Sequence, residues 1–245
     1  MQKSSPSLCV ALDAMEPQQA IDLSNHLGQS VDIVKIGLGL FNRAGLQVVD
    51  ALVSSGREVF LDLKLHDIPT QVGDAVGAIA RLGVHYLTLH TSGGPEMLKA
   101  AVEYRNRVYQ ETQSGNEGPF PRLLGVTVLT SLGPHDLEKI GAKPDVNKVV
   151  TKRVVLAAET GIDGIVCSPA DLGFLNEIPE ASSLIKVTPG IRPADHGKDD
   201  QQRTATPRSA VEGGANILVV GRPITRAPDP RASAEAIRAA MGISA

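Results

Sequence analysis

Short apolar runs rich in β-branched residues recur along this chain and alternate with amphipathic segments. The runs predict eight strands, at residues 8–12, 33–36, 59–65, 86–89, 123–129, 164–167, 184–187 and 217–220. The segments between them predict helices, among them 17–27, 72–82, 96–109, 147–160, 207–212 and 233–241. Strands that alternate with helices pair in parallel through right-handed crossovers. Eight such units in 245 residues predict an α/β fold, a single (β/α)₈ TIM barrel over residues 1–245, with a doubly wound open sheet as the alternative.

Polar residues interrupt the apolar runs where the predicted strands end. They are Asp13, Lys35, Asp62, Lys64, His90, Thr127, Thr130, Ser168, Thr188, Gly221 and Arg222. The carboxyl ends of the strands of a TIM barrel converge on one rim, and active sites of this fold lie there. We therefore expect an active site at the C-terminal ends of the strands.

The third predicted strand carries charges inside an otherwise apolar run. Period two places Asp62 and Lys64 on one face of the strand and leucines on the other. Pro69 fixes its own φ and biases Ile68 towards an extended backbone, so the strand ends before it and Asp67 lies on the following turn.

A second lysine, Lys35, is embedded in the preceding predicted strand. Its charge would be costly to desolvate unless it meets carboxylates. In a barrel, Asp13, Lys35, Asp62, Lys64 and Asp67 can meet at one mouth as an alternating array of acids and amines. The simpler interpretation is a set of separate solvated charges at strand ends. Five such residues on three successive strands favour a shared site.

The amino-acid composition of the chain indicates which classes of partner it binds. The chain has 24 basic and 27 acidic residues, a formal charge of −3 and no Trp. It has no long Lys or Arg run, and its longest apolar runs are too short for a bilayer span. We expect a small-molecule ligand, with no nucleic acid and no membrane. Cys9 and Cys167 lie in apolar runs, which indicates reduced thiols. The polar N-terminal residues have no signal-peptide core, so we expect a cytoplasmic protein.

The residues of the charged strand resemble the signature of a known protein family. The segment LDLKLHDIP at residues 61–69 resembles the signature of orotidine 5′-phosphate decarboxylase. Matching segments extend over nearly the whole chain: VALD at 10–13, VKIG at 34–37, LTS at 129–131, TPGIR at 188–192 and VGRPI at 220–224.

The resemblance implies a carbon–carbon lyase without metal or organic cofactor. It would decarboxylate orotidine 5′-monophosphate to uridine 5′-monophosphate (UMP) and CO₂, the last step of UMP synthesis. It also implies that Lys64 stabilises the negative charge developing at C6 and then protonates that carbon. Asp62 would lie beside the departing carboxylate. Lys35 would bridge the acids and reach the ribose, and Asp13 would bind the ribose.

The resemblance further implies a homodimer whose sites are shared. Asp67 would enter the neighbouring subunit's site, together with Ile68 and the residues that follow it. The family usually has Asn-Thr after Asp-Ile-Pro, whereas this chain has Thr70 and Gln71. Either Gln71 or Thr70 takes the place of the family's threonine contact, and the sequence leaves both open.

Phosphate and base contacts are implied elsewhere in the chain. Arg192, Gly221 and Arg222 follow the last two predicted strands, where TIM barrels recurrently bind phosphate. Gln201 matches the family's loop glutamine that contacts phosphate and pyrimidine, with Gln202 as the alternative. Thr130 would meet the pyrimidine edge.

Two competing functions are compatible with the charged core. One is a metal-dependent aldolase or decarboxylase that acts on a sugar phosphate and keeps the same Asp-x-Lys-x-x-Asp core. Ile68, Lys35 and the Gln201 loop favour the nucleotide enzyme over it. The other is a non-catalytic barrel that binds a phosphorylated nucleotide, and the presence of both Asp62 and Lys64 argues against it. The segment 112–121 before the fifth strand has no predicted role.

Overall fold

Parallel strands close into a barrel in the computed structural model, which describes residues 5–13, 15–112, 120–192 and 204–243. Each strand pairs in parallel with its neighbour in sequence, and β1 pairs with β8 to close the ring. The strands are β1 Ser7–Ala11, β2 Ile33–Gly37, β3 Glu58–Leu65, β4 Tyr86–His90, β5 Arg122–Val126, β6 Gly164–Val166, β7 Ile185–Thr188 and β8 Ile217–Val220. The predicted TIM barrel is therefore confirmed, and the open-sheet alternative is wrong.

Helices follow the strands and cover the outside of the barrel. They are α1 Pro17–Leu27, α2 Leu38–Ala44, α3 Leu46–Ser54, α4 Pro69–Ile79, α5 Gly94–Thr112, α6 Pro134–Lys139, α7 Val146–Glu159, α8 Leu172–Leu175, α9 Pro207–Glu212, α10 Arg222–Thr225 and α11 Pro230–Ala240. Short 3₁₀-helices cover Gly28–Ser30, Thr91–Gly93, Pro169–Asp171 and Pro179–Ser182. No helix in the described ranges is both long and apolar enough to cross a membrane.

Side-chain capping fixes where several helices begin. The carboxylate of Asp145 accepts a hydrogen bond from the Lys148 amide at 3.0 Å, at the start of α7. Asp229 does the same for Ala232 at 2.9 Å, at the start of α11. These caps satisfy amides that have no partner within the first helical turn.

Two apolar layers result from the alternation of side chains along the strands. In β1, Leu8 and Val10 pack outwards in the large core between the strands and the helices, whereas Cys9 faces the barrel interior. The interior cluster consists of Cys9, Ile33, Phe60, Tyr86, Leu124, Val187, Ile217 and Val219. Residues two positions further along the strands therefore point towards the carboxyl-end mouth.

Some predicted boundaries differ from the structure. The fifth strand was expected over 123–129 but ends at Val126, and the apolar residues Val128 and Leu129 line a cavity beyond it. The predicted segments also include no counterpart of α2, α3, α6, α8 or α10. Gly45, with φ of 58°, separates α2 from α3 in a conformation that favours glycine.

The pairing of β3 with β4 is irregular near the carboxyl end. Leu61 is paired with Leu87 and Leu65 with Leu89, so residues 62–64 of β3 lie opposite the single residue Thr88. Lys64 within this bulge has φ of 52°, the one left-handed value for a non-glycine residue in the described part of the chain. The simple period-two pattern predicted for the third strand is therefore interrupted at Lys64.

Candidate active site

Four charged side chains form a continuous chain of ion pairs at the carboxyl-end mouth. Lys35 Nζ lies 2.7 Å from Asp13 Oδ2 and 3.2 Å from Asp62 Oδ2. Asp62 in turn accepts a hydrogen bond through Oδ1 from Lys64 Nζ, at 2.8 Å. The charges alternate in sign along Asp13, Lys35, Asp62 and Lys64. The structure thus brings together four of the five charged residues expected to share one site.

Burial increases from the ends of this network to its centre. The Lys35 side chain is 7% exposed and that of Asp62 is 13% exposed, whereas Lys64 is 30% and Asp13 is 45% exposed. Burying a charge is unfavourable unless it is paired and hydrogen-bonded. The two central residues meet that condition, because each contacts two groups of opposite charge.

The pKa shifts of the central pair follow from this competition. Burial alone would lower the pKa of Lys35, but the carboxylates of Asp62 and Asp13 outweigh it and raise that pKa above its usual value. Burial alone would raise the pKa of Asp62, but Lys35 and Lys64 outweigh it and lower that pKa to about 2. Both groups are therefore charged at neutral pH.

Asp62 also has a neutral partner. The hydroxyl of Thr88 donates to Asp62 Oδ1 at 2.9 Å, and the same Oγ1 accepts a hydrogen bond from the backbone amide of Lys64 at 2.9 Å. Sequence reasoning missed Thr88. Its position on the inner face of β4, two residues beyond Tyr86, was a signal that could have placed it beside Asp62.

The lack of a side chain at Gly37 leaves room for Asp13 to pair with Lys35. A Cβ atom at Gly37 would lie 2.0 Å from Asp13 Oδ1 and 3.1 Å from Lys35 Nζ. The absence of a side chain therefore creates the space that the Asp13 carboxylate occupies. Gly37 was also missed as a site residue, although it lies two residues beyond the predicted Lys35 on the same strand.

The charge network forms part of the wall of a cavity of about 320 Å³. Asp13, Lys35, Asp62 and Lys64 line it together with Thr130, Arg192, Gly221 and Arg222, which the sequence also predicted as site residues. An apolar wall that was not predicted includes Phe60, Val126, Val166, Val187, Ile191 and Val219. The cavity therefore combines charged groups with apolar surface.

Asp67 lies outside this network within its own chain. Its Oδ1 accepts a hydrogen bond from the Ile68 amide at 2.7 Å. Ile68 is 61% exposed, and Thr70 and Gln71 at the start of α4 are exposed as well. Residues 66–71 form one continuous exposed segment, which we call the exposed arm. The structure does not bring the predicted arm residues into the cavity of the same chain.

Gln201 and its alternative Gln202 lie outside the described residues, as do residues 113–119 of the segment before β5. Their predicted contacts and roles are not described by the structure.

Burial favours the neutral form of His90 and of the two cysteines, because it lowers the pKa of the imidazole and raises the pKa of each thiol. The rings of His66 and His90 lie 5.5 Å apart between centroids. Burial, with contributions from His66 and Lys64, lowers the pKa of His90 to about 4. Cys9 and Cys167 are free and buried, and burial raises the pKa of Cys167 to about 12. Neither thiol is a thiolate at neutral pH.

Comparison with known proteins identifies the family. The model of the orotidine 5′-phosphate decarboxylase / HUMPS family matches residues 6–237. The chain belongs to this family. It is 42% identical to an orotidine 5′-phosphate decarboxylase of Nitrosospira multiformis, over 93% of this chain and 90% of that protein. It is 44% identical to the enzyme of that name in Methylobacterium nodulans, over 94% and 93% of the two chains.

A solved structure extends the likeness to three dimensions. The crystal structure of orotidine 5′-phosphate decarboxylase from Lactobacillus acidophilus superimposes with a TM-score of 0.83 at 36% identity, covering 96% of this chain and 99% of the other. The resemblance seen in the segment 61–69 is therefore confirmed at the level of family and fold.

Proposed function

We propose that this protein decarboxylates orotidine 5′-monophosphate to UMP and CO₂, as a step of pyrimidine nucleotide synthesis. Membership in the orotidine 5′-phosphate decarboxylase / HUMPS family supports the reaction class. The observation that carries the proposal is the pairing of Lys64 Nζ with Asp62 Oδ1 at 2.8 Å on the cavity wall. An ammonium and a carboxylate fixed side by side match a reaction that removes CO₂ and replaces it with a proton.

The cavity offers separate groups for each part of the nucleotide. Arg192 follows β7 and Arg222 follows β8, which is where TIM barrels recurrently bind phosphate. A guanidinium can donate two parallel hydrogen bonds to phosphate oxygens. Asp13 and Lys35 would contact the ribose, and Thr130 would meet the pyrimidine edge. The substrate then has its C6 carboxylate directed at Asp62 and Lys64.

The difficult species is the carbanion left at C6. Breaking the C6–carboxylate bond leaves its electron pair in the plane of the ring, outside the π system. Fixed charge in a partly dry site stabilises such a pair more strongly than water does. The Lys64 ammonium provides this charge and then transfers one proton to C6. The resulting neutral amine regains a proton from solvent, which reaches it because the side chain is 30% exposed.

Asp62 would act on the substrate carboxylate through its negative charge. Its pKa of about 2 keeps it ionised throughout the neutral range. The Asp62 carboxylate and the substrate carboxylate would repel each other in the complex, and this repulsion would fall as neutral CO₂ departs. Lys35 holds Asp62 in place from the opposite side, at 3.2 Å.

We further infer that the active unit is a symmetric homodimer that shares its sites. Asp67 and Ile68 of the exposed arm would extend into the cavity of a second copy, and Thr70 or Gln71 would contact the substrate there. The exposure of this arm, with an isoleucine 61% exposed beside a carboxylate, supports an intermolecular role. In such a dimer, Asp67 would complete the alternation of charges beyond Lys64.

A direct assay tests the proposed reaction. Purified protein is incubated with orotidine 5′-monophosphate in buffer with EDTA, and the loss of substrate absorbance is followed. We expect stoichiometric conversion to UMP and CO₂ at an undiminished rate in the chelator. Loss of the rate in EDTA and its return with Mg²⁺ would favour the metal-dependent alternative. Binding of UMP without any turnover would favour a nucleotide-binding barrel.

A further inference from the structure

Thr88 lies at the point where the pairing of β3 and β4 breaks. It is fully buried, and its side chain does not line the cavity. Opposite it, β3 accommodates residues 62–64 between the pairs Leu61–Leu87 and Leu65–Leu89. The hydroxyl of Thr88 therefore faces a stretch of backbone that has lost its regular strand partner.

This hydroxyl links both members of the acid–amine pair. Its Oγ1 accepts a hydrogen bond from the Lys64 backbone amide at 2.9 Å. An amide can only donate, so the hydroxyl proton remains available for a different acceptor. That acceptor is Asp62 Oδ1, at 2.9 Å, the same oxygen that receives the Lys64 Nζ hydrogen bond.

The hydrogen bond to Lys64 also fixes an unusual backbone conformation. Lys64 has φ of 52°, which residues other than glycine rarely adopt. Such a conformation persists only where surrounding contacts determine it. The backbone conformation of Lys64 sets the direction in which its side chain leaves the strand. The Thr88 hydroxyl therefore acts on Nζ in two ways, through the Lys64 amide and through the Asp62 oxygen that Nζ also contacts.

We propose that Thr88 is a positioning residue for the reaction: its hydroxyl holds the Lys64 backbone and the Asp62 carboxylate in one fixed relation, so that Nζ is directed at C6. This inference rests on the proposed decarboxylation. It concerns the chemical step and not substrate binding, because Thr88 contacts two residues of the cavity wall but does not itself line the cavity.

The test compares Thr88→Val, which removes the hydroxyl at nearly constant volume, with Thr88→Ser, which keeps it. Thr91→Val is the matched control, because Thr91 is a buried threonine nearby whose hydroxyl donates to the Val126 carbonyl at 2.8 Å. A displacement of about 1 Å in reacting groups costs on the order of 100-fold in rate. We expect Thr88→Val to lower kcat by about that factor with KM nearly unchanged, and Thr88→Ser and Thr91→Val to retain kcat within about threefold.

A second readout does not depend on turnover. Amide hydrogen exchange at Lys64 should be slow in the wild-type protein and in Thr88→Ser, and markedly faster in Thr88→Val, while exchange in α5 stays unchanged. If Thr88→Val does not fold, Thr88→Ala replaces it in both measurements. Should the wild-type protein fail to decarboxylate the substrate, the proposed function is wrong, and the exchange measurement still tests whether Thr88 holds Lys64.

Two results would overturn the inference. One is a kcat for Thr88→Val within about threefold of the wild type. The other is an equal loss of kcat and thermal stability in Thr88→Val and Thr91→Val, which would mean that any buried threonine hydroxyl in this part of the barrel has the same effect.

Discussion

The inner face of the barrel contains two layers of side chains, a lower one and an upper one nearer the mouth. On a given strand, the residue of the upper layer lies two positions after the residue of the lower layer. On three neighbouring strands, an apolar residue of the lower layer is followed by a polar residue of the upper layer. The pairs are Ile33 and Lys35, Phe60 and Asp62, and Tyr86 and Thr88. The two layers differ in side-chain chemistry, and on β3 the upper layer also coincides with the bulge at residues 62–64.

The two layers contribute to different properties. The lower layer is buried apolar surface, which stabilises the fold at roughly 25 cal/mol per Å² removed from water. The upper layer contains desolvated charges, whose pairing offsets the cost of burial but gives little net stability. Stability and chemistry are therefore separated along these three strands. Changes in one layer should leave the property of the other largely intact.

The largest effect is expected at Lys64, which pairs with Asp62 of the upper layer. Lys64→Ala should lower kcat by at least about 10³-fold, because it removes both the proton donor and the positive charge near C6. Its effect on the free energy of unfolding should be about 1 kcal/mol, since the side chain is partly exposed. Steady-state kinetics, urea unfolding and calorimetric binding of UMP measure these effects.

Lys99→Ala is the matched control for Lys64→Ala, because Lys99 is 60% exposed on α5 and pairs only with Glu96 among the contacts described for it. Turnover of Lys64→Ala at near the control rate would contradict its role as the acid.

The second prediction concerns Asp67, which we propose completes the charge network of a second subunit. Asp67→Asn and Lys64→Ala subunits should each be inactive alone. A mixed dimer contains one site with both native residues, so random 1:1 mixing should restore about a quarter of wild-type activity. The activity of the mixture after subunit exchange is compared with that of each variant. No recovery in proven heterodimers would show that Asp67 does not act across an interface.

The third prediction concerns the lower layer. Ile33→Ala should reduce the free energy of unfolding by about 2–5 kcal/mol, because it leaves a cavity in the barrel interior. The kcat of the folded enzyme should stay within about threefold of the wild type. Ile140→Ala is the control, since Ile140 is 63% exposed and its loss should change stability by less than about 0.5 kcal/mol. A large loss of kcat in Ile33→Ala, with the protein still folded, would show that the lower layer also contributes to catalysis.

The smallest effect is the pH dependence that Asp62 contributes. Its pKa falls from 3.8 to about 2 on folding, so the folded state favours the charged carboxylate. This stabilisation is present above pH 3.8 and is lost as the pH falls towards 2. The difference in unfolding free energy between the wild type and Asp62→Asn should therefore shrink as the pH is lowered from about 6 to about 3. A difference that does not change with pH would mean that the Asp62 charge is not stabilised by the fold.

Sequence patterns predicted the barrel and much of its charged mouth. The alternation of strands and helices was sufficient for the topology, and the convergence of strand ends in a barrel was sufficient to bring Lys35 and Asp62 together. The end of β5 was overestimated because Val128 and Leu129 are apolar for a different reason, namely that they line the cavity.

The details of Lys64 and Thr88 could not be predicted in the same way. The bulge in β3 depends on the register with β4, which is a contact between residues 24 positions apart. Likewise, the place that Asp13 occupies depends on the missing side chain of Gly37 on another strand. The contacts of the exposed arm could not be predicted from the fold of one chain, because its proposed partner is a second copy of the chain.

The central claim is that a proton from the solvent-exchangeable Lys64 ammonium replaces CO₂ at C6. The most direct measurement is turnover of orotidine 5′-monophosphate in D₂O with EDTA present, with the product examined by ¹H NMR and mass spectrometry. We predict UMP that carries one deuterium, located at C6, with release of one CO₂ per product. The absence of UMP, or UMP with hydrogen at C6 when formed in D₂O, would contradict the account.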